Sequence, residues 1–473
     1  MATRWNSFVY GRDPRVAMSG LSNDLTSVED FERFLAQFTN YERQRTYRYD
    51  KQTFGLARIE ALVHELGHPE RAFPSIHIAG TKGKGSTSLI LEALLLERAF
   101  RVGTYTSPHV EELRERIRLW GKPIATEDLV AVTREILPAL DRIRTTAPEV
   151  FPSFFELMTA VAFESFRRWN VDLGILEVGL GGRLDATNVV IPHYTAITSI
   201  DFEHTQQLGS TLRAIATEKA GIVKTGVVLF FGPLPEEAEA AVREVAASRE
   251  APVVPVTADE VCGVGQGEVW LEALGARIVA PSIIGPGLRI DLALALRVAA
   301  RILADAGKPT LTATEVERAM AELQLPARME RFEGNPLVVI DAAHTAESLG
   351  ALKTALSEEG QMGPRTVILS LSHGKDIARL FEELREVGTE VLLTRADTQR
   401  SLAPAELHAL LGYGTVIDDP AVAFETAVAA GHPVVITGSF YLAGCLRPLA
   451  REHAARTATA NPDHRDKPAL VKE

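Results

Sequence analysis

The stretch that decides the fold is Gly80-Thr81-Lys82-Gly83-Lys84-Gly85-Ser86-Thr87, which follows the short apolar run at residues 74–79. The apolar run predicts a buried strand, the glycines predict a tight loop, and residues 88–95 predict a helix. This order places backbone N–H groups and a helix N-terminus around one point, which suits a phosphate chain. Lys84 would lie along the phosphates, and Ser86 or Thr87 would offer a hydroxyl to magnesium.

The spacing of this loop differs from that of a Walker loop. A Walker loop has four residues between its first glycine and the Gly-Lys pair, whereas this chain has two, Thr81 and Lys82. The alternative interpretation is a glycine-rich turn with a surface lysine. The predicted strand before the loop and the predicted helix after it favour the phosphate loop.

Composition and charge restrict the class of protein. The chain has 473 residues, 46% of them hydrophobic and 24% charged, which is typical of a soluble globular protein of two or three domains. The net charge of −12 argues against general nucleic-acid binding, although a few lysines and helix N-termini can still form a local anion site. Nucleic acid is therefore not expected as a partner, and a small anionic ligand is not excluded.

The location of the protein is predicted from its termini and cysteines. The first residues lack the apolar core of a signal peptide, and no segment is long and apolar enough to span a membrane. Cys262 and Cys445 are far apart and have no CxxC context, which is typical of free thiols in a reducing compartment. We therefore expect a cytoplasmic protein that does not bind membranes.

Apolar runs alternate with amphipathic helical patterns after the loop, which predicts an α/β fold with mostly parallel sheets. The helical pattern stops at residues 323–327, and a second α/β series begins near Pro336. The chain is therefore divided into an N-terminal extension (1–24), a first domain (25–325), a smaller second domain (326–453) and a disordered tail (454–473). Besides the strand at 74–79, strands are predicted at 101–105, 173–178, 195–200, 227–231, 337–340, 366–371, 391–394 and 434–437.

In open parallel sheets, ligands bind beyond the carboxyl ends of the strands. Glu177 ends one predicted strand and is followed by a glycine-rich stretch that contains Arg183 and Asp185. An acid at a strand end near a phosphate loop is suited to holding magnesium. The alternative is an exposed glutamate before a glycine turn.

Asp201, Glu203 and His204 come after the next predicted strand. His204 could bind a metal as a neutral imidazole, and either acid could orient it. A lone histidine is more often a surface or core residue.

Lys219 lies at the end of a predicted helix, where a lysine is ordinarily favoured by the helix dipole. Its residue type alone therefore indicates no chemistry.

Three polar positions stand out in the second series. Asp341 comes directly after a predicted strand and could bind ribose hydroxyls or orient a neighbouring group. Ser439 comes after the last predicted strand, where it could hold a small polar ligand or cap the next helix. Arg328 lies just past the domain boundary.

Taken together, these motifs resemble the folylpolyglutamate synthase and dihydrofolate synthase family, within the Mur-ligase superfamily. The resemblance covers residues 25–450. It is carried by HIAGTKGKGST (77–87), TSPHVEELRERIRL (106–119), FFELMTAVAFE (154–164), EVGLGGRLDATNVV (177–190), EHTQQLGSTLRAIATEKAGIVK (203–224), LPARMER (325–331), DAAH (341–344) and TGSFYL (437–442).

The resemblance implies a P-loop ATPase domain of the Mur-ligase type and a smaller, Rossmann-like glutamate-ligase domain, with the active site in the cleft between them. It implies an ATP-dependent amide ligase. In such an enzyme a substrate carboxylate attacks the γ-phosphate to give an acyl phosphate, and the amine of L-glutamate then displaces phosphate. A monomer is the common state in this family.

The family's site residues are carried over by motif. Lys84, Lys219 and His344 match catalytic positions, and Lys219 matches a lysine that is carbamylated in the family. Ser86, Glu177 and His204 match the residues that hold magnesium, with two ions expected. The ATP-contacting positions are Gly80, Thr81, Gly83, Lys84, Gly85, Ser86, Thr87, Arg328 and Asp341. The positions on the pterin and glutamate sides are Ser107, Pro108, His109, Arg183, Asp185, His344 and Ser439.

Several positions depart from the family pattern. Lys82 stands where many bacterial members have asparagine, Ala327 replaces the glycine of Pro-Gly-Arg, and Asp291 replaces an adenine-side asparagine. Ala342 and Thr345 change the Asp-Gly-Ala-His-Asn motif. These departures leave open a sister ligase with a different acid or amino acid, or a nucleotide-binding module without ligase activity.

Overall fold

The computed structural model describes residues 25–43, 54–265, 267–360, 363–373, 375, 377–397 and 400–460. The predicted extension at 1–24 and the predicted tail beyond residue 460 lie outside the described residues. The chain divides into two compact units, one of residues up to 283 with 287–323, and one of 284–286 with 324 onward. The boundary after Leu323 lies close to the predicted boundary after residue 325.

The first unit is built on an eight-stranded sheet with the strand order β4-β3-β2-β5-β1-β6-β7-β8. The six strands from β2 to β8 in that order run parallel, and β3 and β4 add an antiparallel edge. The strands are β1 (Ser75–Ala79), β2 (Val102–Tyr105), β3 (Ile117–Leu119), β4 (Lys122–Pro123), β5 (Leu173–Glu177), β6 (Tyr194–Ile197), β7 (Val228–Phe231) and β8 (Val253–Pro255).

Helices cover this sheet, and several begin at residues with good N-cap chemistry. Ser27 and Asp30 form a reciprocal capping box at the first helix, as do Thr312 and Glu315 at the last. The helices are α1 (Val28–Leu35), α2 (Ala57–Glu65), α3 (Lys84–Leu96), α4 (Thr126–Thr146), α5 (Phe154–Arg168), α6 (Thr205–Leu208), α7 (Leu212–Ala220), α8 (Glu236–Ser248), α9 (Gly285–Asp305) and α10 (Ala313–Ala321). The residue before α9 and the first two residues of α9 belong to the second unit, and the rest of the helix belongs to the first.

Two hydrophobic clusters hold the helices to the sheet. One gathers the aromatic side chains of α1 and α5, including Phe31, Phe34 and Phe163, all buried. The other joins Ile197 and Leu229 of the sheet to residues of α7 and α8. Burial of this much apolar surface stabilises the sheet whose strand ends carry the site.

A small antiparallel sheet lies within the first unit, with the order β11-β10-β9. Its strands are β9 (Val261–Gly265), β10 (Glu268–Leu271) and β11 (Ala276–Val279).

The second unit has its own six-stranded sheet, with the order β12-β13-β17-β14-β15-β16. Only β12 is antiparallel to its neighbour. Its strands are β12 (Glu330–Phe332), β13 (Val338–Ile340), β14 (Thr366–Leu369), β15 (Glu390–Leu393), β16 (Thr415–Val416) and β17 (Val434–Thr437), and its helices are α11 (Ala346–Glu358), α12 (Ile377–Val387), α13 (Pro404–Leu411), α14 (Pro420–Ala429) and α15 (Phe440–Ala460).

A disordered tail was predicted from residue 454, but the last helix continues to Ala460. His453 explains part of this extension, because its buried ring donates to the carbonyl of Pro336 at 2.9 Å. The alanines that come after it favour helix as well. Residues 454–460 are therefore helical.

The α/β class and the mostly parallel sheets are confirmed. Each predicted strand corresponds to an observed one: β1, β2, β5, β6 and β7 in the first unit, and β13, β14, β15 and β17 in the second. Among the described helices, none combines the length and the apolar composition needed to span a bilayer.

Candidate active site

The glycine-rich loop joins β1 to α3, as predicted. Gly83 has a φ of 83° and is the N-cap of α3, a left-handed conformation that glycine adopts without strain. The helix begins at Lys84, so Ser86 and Thr87 lie in its first turn and are buried. The first backbone N–H groups of a helix have no acceptor within the helix, so this helix start offers the donors that an anion needs.

Two lysines converge on one carbonyl of this loop. The ammonium of Lys84 donates to the Gly80 oxygen at 3.1 Å, and that of Lys219 donates to the same oxygen at 2.7 Å. Lys219 is 5% exposed. Burial, together with the positive charge of Lys84, lowers the pKa of Lys219 to about 7. The structure therefore places Lys219 inside the phosphate-loop region and not at a solvated helix end.

The other side of the loop forms hydrogen bonds with the residues that come directly after β6. The N–H of Thr81 donates to the Ser199 carbonyl at 2.8 Å, and the N–H of Asp201 donates to the Thr81 hydroxyl at 3.1 Å. The ammonium of Lys82 lies 3.3 Å from the Asp201 carboxylate. Asp201, one of the acids predicted to orient His204, thus forms an ion pair with Lys82.

Glu177 is the last residue of β5 and lies beside the phosphate loop. Its side chain is buried, and a Cβ placed on Gly85 would lie 3.5 Å from its Oε2. The same oxygen accepts the N–H of Ser107 at 2.9 Å. The alternative of an exposed strand-end glutamate is therefore excluded, and Ser107 joins the site through its backbone.

The predicted magnesium ligands fit a hard cation in part. Glu177 and Ser86 supply carboxylate and hydroxyl oxygens, which magnesium prefers. His204 is exposed, at the start of α6 with a φ of 51°. Across the described ranges, no group of three His, Cys, Asp or Glu side chains is arranged to hold a metal ion. The assignment of His204 stays a prediction.

Asp291 is a residue of this site that local sequence patterns could not place. It lies on α9, and its carboxylate accepts the Thr87 hydroxyl at 3.2 Å across 204 residues of sequence. A Cβ on Gly83 would come within 2.2 Å of the same oxygen, so the helix lies directly against the loop. The departure at Asp291 therefore places a carboxylate beside the predicted phosphate site.

On the predicted pterin side, His109 is held by a buried arginine that sequence analysis missed. Arg116 is 1% exposed, donates from Nε to His109 Nδ1 at 2.9 Å, and forms a two-pronged ion pair with Glu42. Because the guanidinium always donates, Nδ1 of His109 is an acceptor and the neutral ring carries its proton on Nε2. Pro108 is exposed.

Asp185 and Arg183 lie in different surroundings. Asp185 is buried and accepts the N–H groups of Gly179, Leu180 and Thr187 at 2.9–3.0 Å. Burial raises its pKa, and these hydrogen bonds oppose that shift. Arg183 is exposed and pairs with Glu218 at 2.8 Å. Direct substrate contact by either residue stays a prediction.

In the second unit, Asp341 organises the turn after β13. Its two oxygens accept the N–H groups of Met329 and Ala343, each at 2.9 Å, while burial raises its pKa against the opposing charge of Arg328. The guanidinium of Arg328 lies 4.4 Å from the centre of the Phe440 ring. The structure thus brings Asp341 and Arg328 together, although their contact with ATP is untested.

The residues predicted on the glutamate side have defined hydrogen-bond partners. His344 donates from Nδ1 to the Ala342 carbonyl at 2.8 Å, which leaves Nε2 as the acceptor nitrogen of a neutral ring. The Ser439 hydroxyl accepts the N–H of Leu442 at 3.1 Å, so Ser439 caps α15 as the alternative interpretation predicted. Thr345 caps α11. A ligand role for Ser439 stays a prediction.

Comparisons with known proteins identify the family of this chain. A family model described as the Mur ligase, glutamate ligase domain matches residues 327–440. The folylpolyglutamate synthase of Lacticaseibacillus casei is 32% identical over 405 residues, which cover 82% of this chain and 93% of that protein. The chain belongs to the folylpolyglutamate synthase and dihydrofolate synthase family.

Two further members of the folylpolyglutamate synthase and dihydrofolate synthase family illustrate the extent of the match. The dihydrofolate synthase/folylpolyglutamate synthase of Bacillus subtilis is 30% identical over 427 residues, covering 87% of this chain and 99% of that one. A solved Mycobacterium tuberculosis folylpolyglutamate synthase, complexed with ADP and AMPPCP, has a TM-score of 0.79 and 29% identity. That match covers 89% of this chain and 98% of the solved one.

Proposed function

We propose that this protein is an ATP-dependent ligase that joins L-glutamate to the carboxylate of a folate or dihydropteroate. The observation that carries the proposal is the convergence of Lys84, Lys219 and Glu177 on one glycine-rich loop at a helix N-terminus. Anion-binding amides, the Lys84 ammonium group and a buried carboxylate are the groups that phosphoryl transfer needs, because that reaction depends mainly on positioning and charge neutralisation.

The proposed reaction has two steps. A carboxylate oxygen of the pterin substrate attacks the γ-phosphorus of ATP, the bond to the β-phosphate oxygen breaks, and ADP leaves with an acyl phosphate formed. The amine of L-glutamate then attacks the acyl carbon, loses a proton, and expels inorganic phosphate as the amide forms. Lys84 and the amides of the first turn of α3 stabilise the charge on the transferring phosphoryl group.

We assign Ser86, Glu177 and His204 to magnesium, with two ions in the working enzyme. The bound ions would neutralise phosphate charge and orient the γ-phosphoryl group. The position of Glu177 supports this assignment, because its buried carboxylate is held beside the loop by the Ser107 N–H. Arg328 and Asp341 are proposed to contact ATP.

Lys219 is proposed to carry a carbamate. With a pKa of about 7, a large fraction of this buried lysine is an uncharged amine near neutral pH. The neutral amine is the form that reacts with carbon dioxide, and the product is an anion that would relieve the repulsion between Lys219 and Lys84. The same position would then act as a carboxylate-like group in the site.

The remaining assignments come from the family. His344 and Ser439 are proposed to serve the incoming glutamate, and Ser107, Pro108, His109, Arg183 and Asp185 the pterin acid. We further propose a monomer that works in the cytoplasm. Cys262 and Cys445 are free thiols, which is consistent with a reducing compartment.

A second candidate is a sister ligase with the same chemistry and another acid or amino acid. Two departures favour it: Asp291 places a charge against the loop, and Thr345 uses its hydroxyl to cap a helix where the family has asparagine. The phosphate-loop machinery would be shared by both functions.

The deciding experiment supplies ATP, Mg²⁺ and a panel of acids and amino acids to the purified protein, with mass spectrometry of the products. We expect a mass increase of one glutamyl residue on dihydropteroate or tetrahydrofolate, with one ADP for each amide. Turnover of a non-pterin acid alone would establish the sister ligase. ATP binding without ADP release for any pair would contradict both ligase functions.

A further inference from the structure

His77 is a fully buried polar residue in the middle of β1, and the proposed chemistry does not use it. Its Nε2 lies 2.7 Å from the hydroxyl of Thr187, 110 residues away in the sequence. That hydroxyl also bonds to Oδ1 of Asp185. The other oxygen of Asp185 accepts the N–H groups of Gly179 and Leu180. A continuous chain of hydrogen bonds thus links β1 to the glycine-rich loop after β5.

The number of available protons determines which group donates in each of these hydrogen bonds. Thr187 has one hydroxyl proton, and the Asp185 carboxylate is its stronger acceptor. The hydroxyl oxygen must then accept a hydrogen bond from the N–H at His77 Nε2. Nδ1 of His77, which has no hydrogen-bond partner in the described part of the chain, is left as a lone pair. The reverse direction would leave a buried N–H unsatisfied and the carboxylate without this donor, which costs more.

The surroundings of His77 keep its imidazole ring in one protonation state. Burial lowers the pKa of His77 to about 3, and the positive charge of Lys224 adds to the effect. The ring is therefore neutral at any working pH, and His77 acts as a constant donor of one hydrogen bond.

The chain of hydrogen bonds ends two and three residues after Glu177, the proposed magnesium ligand. Gly179 and Leu180 lie close after Glu177 in sequence, and Glu177 pairs in register with Ile78, the neighbour of His77 on β1. β1 leads directly into the phosphate loop at Gly80. The hydrogen bonds therefore tie the strand that carries the phosphate loop to the loop that comes after Glu177.

We propose that His77 and Thr187 are positioning residues, which orient the Asp185 carboxylate and through it hold residues 177–180 beside the phosphate loop. This inference rests on the proposed function, because the value of a fixed Glu177 lies in phosphoryl transfer. Groups that orient the residues around a reacting centre commonly change activity by about 10- to 100-fold when they are removed.

Two matched pairs of variants test the proposal. In His77→Gln the side-chain amide nitrogen reaches the position of Nε2, so the hydrogen bond to Thr187 is kept. In His77→Asn the amide nitrogen reaches only the position of Nδ1, so that hydrogen bond is lost. Thr187→Ser keeps the hydroxyl, and Thr187→Val removes it with little change of shape. Thermal denaturation reports the folding of all four variants.

Hydrogen exchange of the backbone amides at residues 178–184 is the readout that needs neither metal nor substrate. We expect exchange there to rise by about 10-fold in His77→Asn and Thr187→Val, and kcat to fall by about 10-fold with KM for ATP nearly constant. His77→Gln and Thr187→Ser should stay close to wild type in both measurements.

Equal exchange and equal kcat within each pair would overturn the inference. If the histidine variants do not fold, the threonine pair decides the question by the same criteria. A wild-type protein that ligates nothing would instead contradict the proposed function, and the exchange measurement would still show whether His77 and Thr187 hold the loop.

Discussion

Lys84 and Lys219 donate hydrogen bonds to one and the same acceptor, the carbonyl oxygen of Gly80. Two ammonium groups this close repel each other, and Lys219 is cut off from water by burial. The repulsion is relieved when an anion arrives between them or when Lys219 loses its charge. Binding of a triphosphate and modification of Lys219 both do so, which connects the geometry to the proposed reaction.

Loss of the Lys84 charge should abolish most of the activity. Lys84→Ala removes a cation that stabilises the transferring phosphoryl group, and we expect kcat to fall by about 10²- to 10³-fold. Release of ADP with saturating substrates is the measurement. Lys353→Ala is the matched control, since Lys353 is likewise half-buried but lies on α11 of the second unit, where it pairs with Glu383 and Glu386. Near-normal turnover in Lys84→Ala would show that the loop does not hold the phosphates.

Lys219 is predicted to be essential because of its carbamate. Lys219→Ala should cripple the enzyme, and a short carboxylic acid added to the buffer should restore part of the activity by supplying the missing carboxylate. Carbon-13 NMR of wild-type protein in labelled bicarbonate should show a carbamate signal that the variant lacks. An active Lys219→Ala enzyme would contradict a catalytic carbamate at this position.

The depressed pKa of Lys219 also predicts how stability depends on pH. Between about pH 7 and 10.5, the unfolded state binds the lysine proton and the folded state does not. The free energy of unfolding contributed by this residue therefore rises with pH across that window. Chemical denaturation of uncarbamylated wild type and of Lys219→Met, both in buffer free of carbon dioxide and from pH 6 to 10, should show wild type gaining stability relative to the variant. A constant difference would mean that the lysine keeps its ordinary pKa.

Ala327 is a strained departure from the family's glycine. Its φ is 55°, a left-handed conformation that costs a residue with a Cβ about 1–2 kcal/mol. Ala327→Gly should therefore raise the melting temperature by a few degrees. The control is Ala427→Gly, at a buried position inside α14, where the same change should lower stability by about 1 kcal/mol. Destabilisation by Ala327→Gly would show that the methyl packing outweighs the strain.

The strands and the phosphate loop could be predicted because a short, continuous stretch of sequence indicates each of them. The apolar run before Gly80 and the glycines after it suffice to predict the loop. Glu177 is found in the same way, because it is the polar residue that ends the apolar run of β5.

The contacts that complete the site join distant segments and could not be predicted from such patterns. Asp291 meets Thr87, Arg116 meets Glu42, and His77 meets Thr187 only after the sheet has formed. The burial that lowers the pKa of Lys219 is likewise a property of the fold, since the sequence shows only a cation at a helix end. Resemblance to the family supplied that role, and the geometry supports it.

The most direct test of the central claim traces the oxygen atoms of the substrate carboxylate. The pterin acid labelled with ¹⁸O in the reacting carboxyl group is incubated with ATP, Mg²⁺ and L-glutamate, and the released phosphate is analysed by mass spectrometry. An acyl phosphate requires that one labelled oxygen leaves with each phosphate as the amide forms. Amide formation with unlabelled phosphate would contradict the account.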